Sequence, residues 1–288
     1  MYEYNFGGLE EEFSQYHNSK YVVLPVPYDK TSTWGQGAEK GPLAILEASA
    51  NMELYDIETR TQAYKKGVFT SEPIITDKNP EFLFEMVLEK ARNFIKDEKF
   101  LITIGGNHCV PIGSCKAYSE KYPKLSVLQI DAHSDMRDSY QDNKFSHACA
   151  MARMSEWAKP VMVGIRSMDA SEIESVKGKD VFYASYIRKN PTWIKEAVNA
   201  LTEDVYITID LDGFDPSIMS ATGTPEPGGL YWYETLELFE EVAKTKNIVG
   251  FDVVELCPNE FSNPSNFMAA KLIYKIMSFI EYYKKMNV

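Results

Sequence analysis

Short apolar runs punctuate the chain: Tyr21–Val26 (YVVLPV), Lys99–Gly105 (KFLITIG), Leu125–Asp131 (LSVLQID), Val161–Ile165 (VMVGI), Val205–Asp210 (VYITID) and Ile248–Glu255 (IVGFDVVE). They are continuous rather than alternating, which suits strands covered by helices on both faces. Asp180–Ser185 (DVFYAS) reads as a shorter seventh strand. Between them, Glu81–Lys96, Pro111–Tyr122, Thr192–Leu201 and Tyr233–Lys244 carry apolar residues at three- and four-residue spacing and read as helices. Strands alternating with helices predict βαβ units and a mainly parallel sheet. The clearest helix, Ser265 to Tyr283, puts Leu272, Ile273, Ile276, Phe279 and Ile280 on one stripe and is expected to leave Lys271, Lys275 and Glu281 to water.

No internal repeat, low-complexity tract or linker-like shift interrupts this pattern, so residues 1–288 are expected to form one domain. At 288 residues and 44% apolar composition, a sizeable core is within reach. The net charge of −12 argues against nucleic acid or an anionic membrane as partner and favours the approach of a small cation. The first residues, MYEYNFGGLEEEF, have no basic start followed by an apolar stretch, and no run of about 18 apolar residues occurs; a cytoplasmic protein is expected. Cys109, Cys115, Cys149 and Cys257 form no CxxC pair and read as reduced thiols.

The chemistry gathers where the predicted strands stop. Of the four histidines, His108, His133 and His147 lie in or near loops that follow strands. In an open parallel sheet, ligands bind beyond the carboxyl ends of the strands, so residues distant in sequence converge there. After KFLITI comes GGNHC, in which Gly105 and Gly106 permit a tight turn that aims His108 over the sheet edge. After LSVLQI comes DAHSD, where extended chain would turn Asp131, His133 and Asp135 to one side; after VYITI comes DLDGFDP, with Asp210 and Asp212 in the same relation.

Carboxylates crowded this closely repel, each raising the other's pKa, and divalent cations relieve the repulsion. Four aspartates and two histidines, with no thiolate, form a hard set that suits Mn²⁺, or Fe²⁺ or Co²⁺, rather than structural zinc. Six ligands exceed what one catalytic ion needs. They suit a pair of ions roughly 3.5–4 Å apart, which generates a nucleophile from water at neutral pH.

In three motifs, taken in order, the chain resembles the ureohydrolases, the family of arginase and agmatinase: GGNHCVPIG, LQIDAHSD and TIDLDGFDP. The likeness runs from about Tyr21 to the C-terminus. It implies the three-layer αβα arginase-like fold with a mainly parallel sheet of about eight strands, and two Mn²⁺ per chain. By position, His108 and Asp135 would hold one ion, His133 and Asp212 the other, and Asp131 and Asp210 would bridge. The reaction implied is attack of a metal-bridging hydroxide on a guanidinium carbon, releasing urea and an amine. Glu255, in FDVVELCP, matches the glutamate that holds the guanidinium, and His147, in FSHACAMARM, the loop histidine that moves a proton or positions substrate. With Asp135 these are the catalytic candidates. Cys109 stands where relatives commonly have Ser, Ala148 where many have Gly, and the stretch after Glu255, PNEFSNPSNF, also departs from the family pattern.

The tail of the second motif bears on the substrate. Arginases hold the α-carboxylate and α-amino group of arginine with Asn and Ser residues just past this motif. Here MRDSYQDNKFSH places Arg137 two residues past Asp135, a form that looks like the agmatinases, whose guanidine ends in an amine. Agmatine, hydrolysed to putrescine and urea in polyamine biosynthesis, is therefore the first expectation, with Asp138 either a candidate partner of the distal ammonium or an ordinary solvated acid. N1-aminopropylagmatine, guanidinobutyrate, arginine and formiminoglutamate are the alternatives. A metal-binding subunit without catalysis has no need of a guanidinium clamp such as Glu255, and a zinc deacetylase would need a histidine pair this chain lacks. The resemblance also implies a homo-oligomer, a trimer or hexamer.

Overall fold

The computed structural model describes residues 5–259 and 263–286. Eight strands form one sheet: β1 (Tyr21–Val26), β2 (Val68–Thr70), β3 (Phe100–Gly105), β4 (Ser126–Ile130), β5 (Lys159–Ile165), β6 (Asp180–Tyr183), β7 (Asp204–Asp210) and β8 (Asn247–Val254). Every neighbouring pair is parallel, in the order β2-β1-β3-β8-β7-β4-β5-β6.

Alternation within each strand builds the three layers. Along β1, Tyr21 and Val23 enter one core while Val22, Leu24 and Val26 enter the other. In β4, Leu128 and Ile130 take the first face and Val127 the second; in β8, Phe251 and Val253 oppose Val249. The first face is covered by helices Gly41–Ser49, Trp193–Ala200, Trp232–Thr245 and Asn263–Met286, the second chiefly by Pro80–Lys96 and Ile112–Lys121. With both faces dry, each large apolar side chain contributes about 1.5–3 kcal/mol of transfer free energy, which is why the strands read as unbroken apolar runs.

Three features lie outside the sequence pattern. β2 is only three residues long and sits at the sheet edge, too short to show a period. The long loop after β1 ends in a further helix, Gly41–Ser49, whose first turn is set by Pro42. The last helix is more deeply enclosed than its stripe implies: Lys275 and Glu281, expected in water, are each only 4% exposed. Lys275 Nζ is 2.8 Å from Asp56 Oδ2 and also meets Glu58, while Glu281 accepts from the Tyr21 hydroxyl (2.6 Å) and pairs with Lys20. Charged residues on this helix are buried because acids and bases from distant segments meet them, a fact its own periodicity does not contain. Of the stretch after Glu255, residues 260–262 lie outside the described residues.

Candidate active site

The four central strands, adjacent in the order β3-β8-β7-β4, deliver the candidate residues to one edge. His108 follows β3, Glu255 follows β8, Asp210 and Asp212 close β7, and Asp131, His133 and Asp135 follow β4. Registers Ile104↔Val253, Val254↔Asp210 and Ile209↔Ile130 keep these strand ends level, so the loops start from a common height. The His108 turn depends on Gly106: a Cβ there would lie 2.0 Å from the Tyr28 carbonyl oxygen.

His108 is fully buried, and its Nδ1 stands 3.1 Å from Asp131 Oδ2, 3.0 Å from Asp135 Oδ2 and 3.2 Å from Asp210 Oδ2. The tautomer is fixed from beneath. Thr208 Oγ1 donates to Asp252 Oδ1 at 2.9 Å, so it must accept from His108 Nε2–H, also 2.9 Å away. Nδ1 is thus left with a lone pair that has no hydrogen-bond partner and faces three carboxylate oxygens. Donors converging without hydrogens between them could hold a cation.

A second group adjoins the first. His133 Nδ1 is 3.0 Å from Asp212 Oδ2 and 3.7 Å from Asp131 Oδ1. Asp131 therefore turns one oxygen to each histidine and belongs to both candidate cation groups, His108–Asp131–Asp135 and Asp131–His133–Asp212. Asp210 directs Oδ2 toward His108, and its Oδ1 accepts the Asp212 amide at 2.9 Å. The hard oxygen and imidazole donors fit two divalent cations.

The electrostatics carry the same message. Burial, then the charges of Asp135 and Asp212, push Asp131 up to about 7, and burial with Asp212 and Asp131 pushes Asp210 well above the carboxylate range. Burial would lower both histidines, yet the surrounding carboxylates outweigh it: Asp131, Asp135 and Asp210 raise His108, and Asp212 raises His133 to about 11. A divalent cation among these donors would relieve the repulsion that produces these shifts.

Asp135 (φ +51°) and Glu255 (φ +65°) both occupy the left-handed region, a conformation costing non-glycine residues about 1–3 kcal/mol each. Surrounding bonds enforce it. The Asp135 loop is pinned by buried Glu172, whose Oε1 accepts from Ser134 Oγ (2.7 Å) and the Met136 amide (2.8 Å). The Glu255 amide donates to Gly106 O (2.8 Å), and its Oε1 accepts the His108 amide (2.7 Å), tying the β8 end to the β3 turn. Burial pushes the Glu255 carboxyl up to about 8.

These groups open on a cavity of about 300 Å³, lined also by His147, Arg137, Tyr140, Asp169, Glu172, Thr224 and the Ser32–Gly35 loop. His147 sits with Nδ1 3.2 Å from Thr31 Oγ1 and 3.3 Å from Ser146 Oγ, and burial lowers its pKa. Asp138 is not among the lining residues: it is exposed, bonded to Arg153 at 2.8 Å and paired with Lys144 at 3.3 Å. Arg137 lines the cavity instead, over the Tyr140 ring (4.7 Å to its centroid) and 3.8–3.9 Å from Asp169 and Glu172.

Residues 19–278 match the family model described as the arginase family. The chain belongs to the arginase family. It is 39% identical over 280 residues to the N(1)-aminopropylagmatine ureohydrolase of Synechocystis sp., covering 93% of this chain and 92% of the relative. It is 30% identical to an agmatinase of Pyrococcus horikoshii, covering 96% and 98% of the two chains. Its fold superposes on the crystal structure of the agmatine ureohydrolase of Thermoplasma volcanium with a TM-score of 0.89 at 30% identity, covering 96% of this chain and 94% of that one. This arginase-family chain is accordingly a ureohydrolase with the expected arginase-like fold. Among the described residues, no helix is long and apolar enough to cross a membrane.

Sequence reasoning missed the residues beneath and around the site. Thr208 and Asp252 lie inside strands read as apolar, as does buried Gln129, whose amide donates to Asp131 Oδ2 at 2.7 Å. A polar residue within an otherwise apolar central strand was the available signal. Thr31, which accepts from Asn107 Nδ2 (2.7 Å) and the His147 amide (3.1 Å), lies in the loop PYDKTSTWGQGAEKGP after β1, whose length and Gly, Thr and Lys content were the signal there.

Proposed function

We propose that the protein hydrolyses N1-aminopropylagmatine to spermidine and urea, with two Mn²⁺ ions as cofactors. The observation that carries the substrate is the likeness to relatives of that name, 39% identical in Synechocystis and 35% in Thermus thermophilus, each over more than nine-tenths of both chains. They displace agmatine, the first expectation from the sequence, to second place; agmatine is supported by the agmatinase of Pyrococcus horikoshii at 30%. Fe²⁺ or Co²⁺ would satisfy the same donors.

His108 and Asp135 would hold one cation, His133 and Asp212 the other, and Asp131 and Asp210 would serve both. Two such cations would supply a water acidified enough to act as nucleophile near neutral pH. Glu255 orients the substrate by pairing its carboxylate with the guanidinium, and a cation at that position draws its raised pKa back down. Asp135, facing the cavity, takes the proton that the attacking water loses. His147, kept neutral by burial and held at Nδ1 by Thr31 and Ser146, takes up a proton from solvent and hands it to the departing amine. Breaking the bond between the guanidinium carbon and the substituted nitrogen then yields urea and spermidine. The protein acts as a cytoplasmic homo-oligomer, a trimer or hexamer.

The test is urea release with Mn²⁺ across N1-aminopropylagmatine, agmatine, guanidinobutyrate, arginine and formiminoglutamate, alongside metal content per chain. The highest kcat/KM is expected for N1-aminopropylagmatine with two metals per chain. Urea from none of the five at full metal content would refute a hydrolytic role on these substrates.

A further inference from the structure

The side chain of Trp34 is the most exposed large apolar group among the described residues, at 82%, and it lines the cavity. Exposing an indole forgoes a large part of its transfer free energy, and mobile loops carry such residues at little cost. This loop is fastened on both sides of Trp34. Asp29 Oδ2 accepts the amides of Gly37 (2.7 Å) and Ala38 (3.0 Å), and Thr31 Oγ1 is bonded to Asn107 and to the His147 amide. Gly35 packs so closely on the opposite wall that a Cβ would lie 2.7 Å from the Gly223 oxygen, with Thr224 next in chain 3.3 Å from Asp212. The segments flanking Trp34 are thus tied to the turns bearing His108 and His147 and packed on the Gly223–Thr224 wall, while its ring is presented to solvent at the cavity rim.

We propose that the Trp34 indole is the specificity-determining wall for the distal alkylammonium tail of the substrate, an inference that rests on N1-aminopropylagmatine as substrate. That molecule carries two ammonium groups beyond its guanidine, separated by three methylenes, whereas agmatine carries one. A rigid aromatic face suits such a tail twice over: its surface covers methylenes, and its negative quadrupole attracts the ammonium. The other charges of the rim do not oppose it. Arg137 is drawn against Tyr140, Asp169 and Glu172, leaving the two acids in excess of the one base.

The experiment compares kcat/KM for N1-aminopropylagmatine and agmatine in the wild type, Trp34→Ala and Trp34→Phe, each loaded with Mn²⁺, with the oligomeric mass of each. Trp34→Ala is expected to lower the preference for N1-aminopropylagmatine roughly 3- to 30-fold, the range of one cation–π contact. The loss should appear in KM rather than kcat, because the tail is remote from the reacting carbon. Trp34→Phe, which retains an aromatic face, should restore most of it. A preference that moves less than twofold in Trp34→Ala, with or without a change in oligomeric mass, overturns the proposal. A wild type that prefers agmatine overturns the substrate reading instead, and the wild-type comparison alone reveals it.

Discussion

His108 Nε2 lies 2.9 Å from Thr208 Oγ1, whose own proton is committed to Asp252 at 2.9 Å. This contact decides which nitrogen of the imidazole is bare, and the bare one, Nδ1, faces Asp131, Asp135 and Asp210. Thr208→Val preserves shape and removes the acceptor that holds the tautomer. Mn²⁺ affinity at this position is expected to fall roughly 10- to 100-fold, the usual cost of removing a partner behind a metal-ligating histidine. Isothermal titration of Mn²⁺ into chelator-treated protein measures it; an unchanged affinity would detach Thr208 from the site.

Four aspartates converge with two histidines in this cage, so removing cations from it would leave like charges facing one another. Chelation should lower the midpoint of thermal unfolding by on the order of 5 °C, from the linkage between cation binding and folding. Added Mn²⁺ should restore it, and Asp131→Asn, which touches both cation groups, should abolish the restoration. Differential scanning calorimetry at matched free Mn²⁺ supplies the readout.

Glu255 is tied to the His108 amide and opens on the cavity. Glu255→Gln keeps the shape of the side chain and removes the charge that pairs with a guanidinium. The expected loss in kcat/KM is on the order of 10²–10³-fold, from the 2–5 kcal/mol typical of a buried charge pair deprived of one partner. Metal content should stay at two per chain. A loss of metal equal to the loss of activity would make Glu255 a support for His108 rather than a clamp for substrate.

Far from the site, Asp56 is buried beside Lys275 and accepts from the amide and hydroxyl of Thr59, both at 2.8 Å. Burial pushes its carboxyl up, but hydrogen bonds from Lys275 and Thr59 outweigh this and hold the pKa below its ordinary value. A depressed carboxylate stabilises the fold in full above its unfolded pKa of about 3.9, and that contribution is lost as pH falls toward and through the folded value. Asp56→Asn should therefore lower stability at pH 7 and flatten the acid limb of the stability curve below about pH 4. Urea unfolding at pH 7, 5, 4 and 3 tests this; curves parallel to the wild type would show that Asp56 contributes no pH dependence.

Spermidine, the expected product, keeps the aminopropyl tail of the substrate, and putrescine lacks it. Product inhibition by spermidine should be stronger than by putrescine, roughly 10-fold for one extra paired ammonium. Steady-state inhibition of urea release gives both constants, and equal values would count against a tail subsite.

The sequence by itself determined the parallel sheet and singled out the six candidate cation ligands. Unbroken apolar runs announced seven of the eight strands, because burial on both faces leaves no polar alternation. The three motifs named all six cage residues, because such a density of acids past a strand has no packing rationale. What only the tertiary structure decided depends on contacts between segments far apart in the chain. The strand order puts β3, β8, β7 and β4 side by side, and from that follow the Asp131 link between two histidines and the placing of Glu255 against His108. Asp138 and Arg137 are neighbours in sequence, yet one is drawn out to Arg153 and Lys144 while the other lines the cavity. Lys275 and Glu281 are charged residues that partners from other segments allow to be buried. Local pattern records how each residue relates to its own strand or helix; charge partners and rim residues such as Trp34 are set by which loops the sheet order brings together.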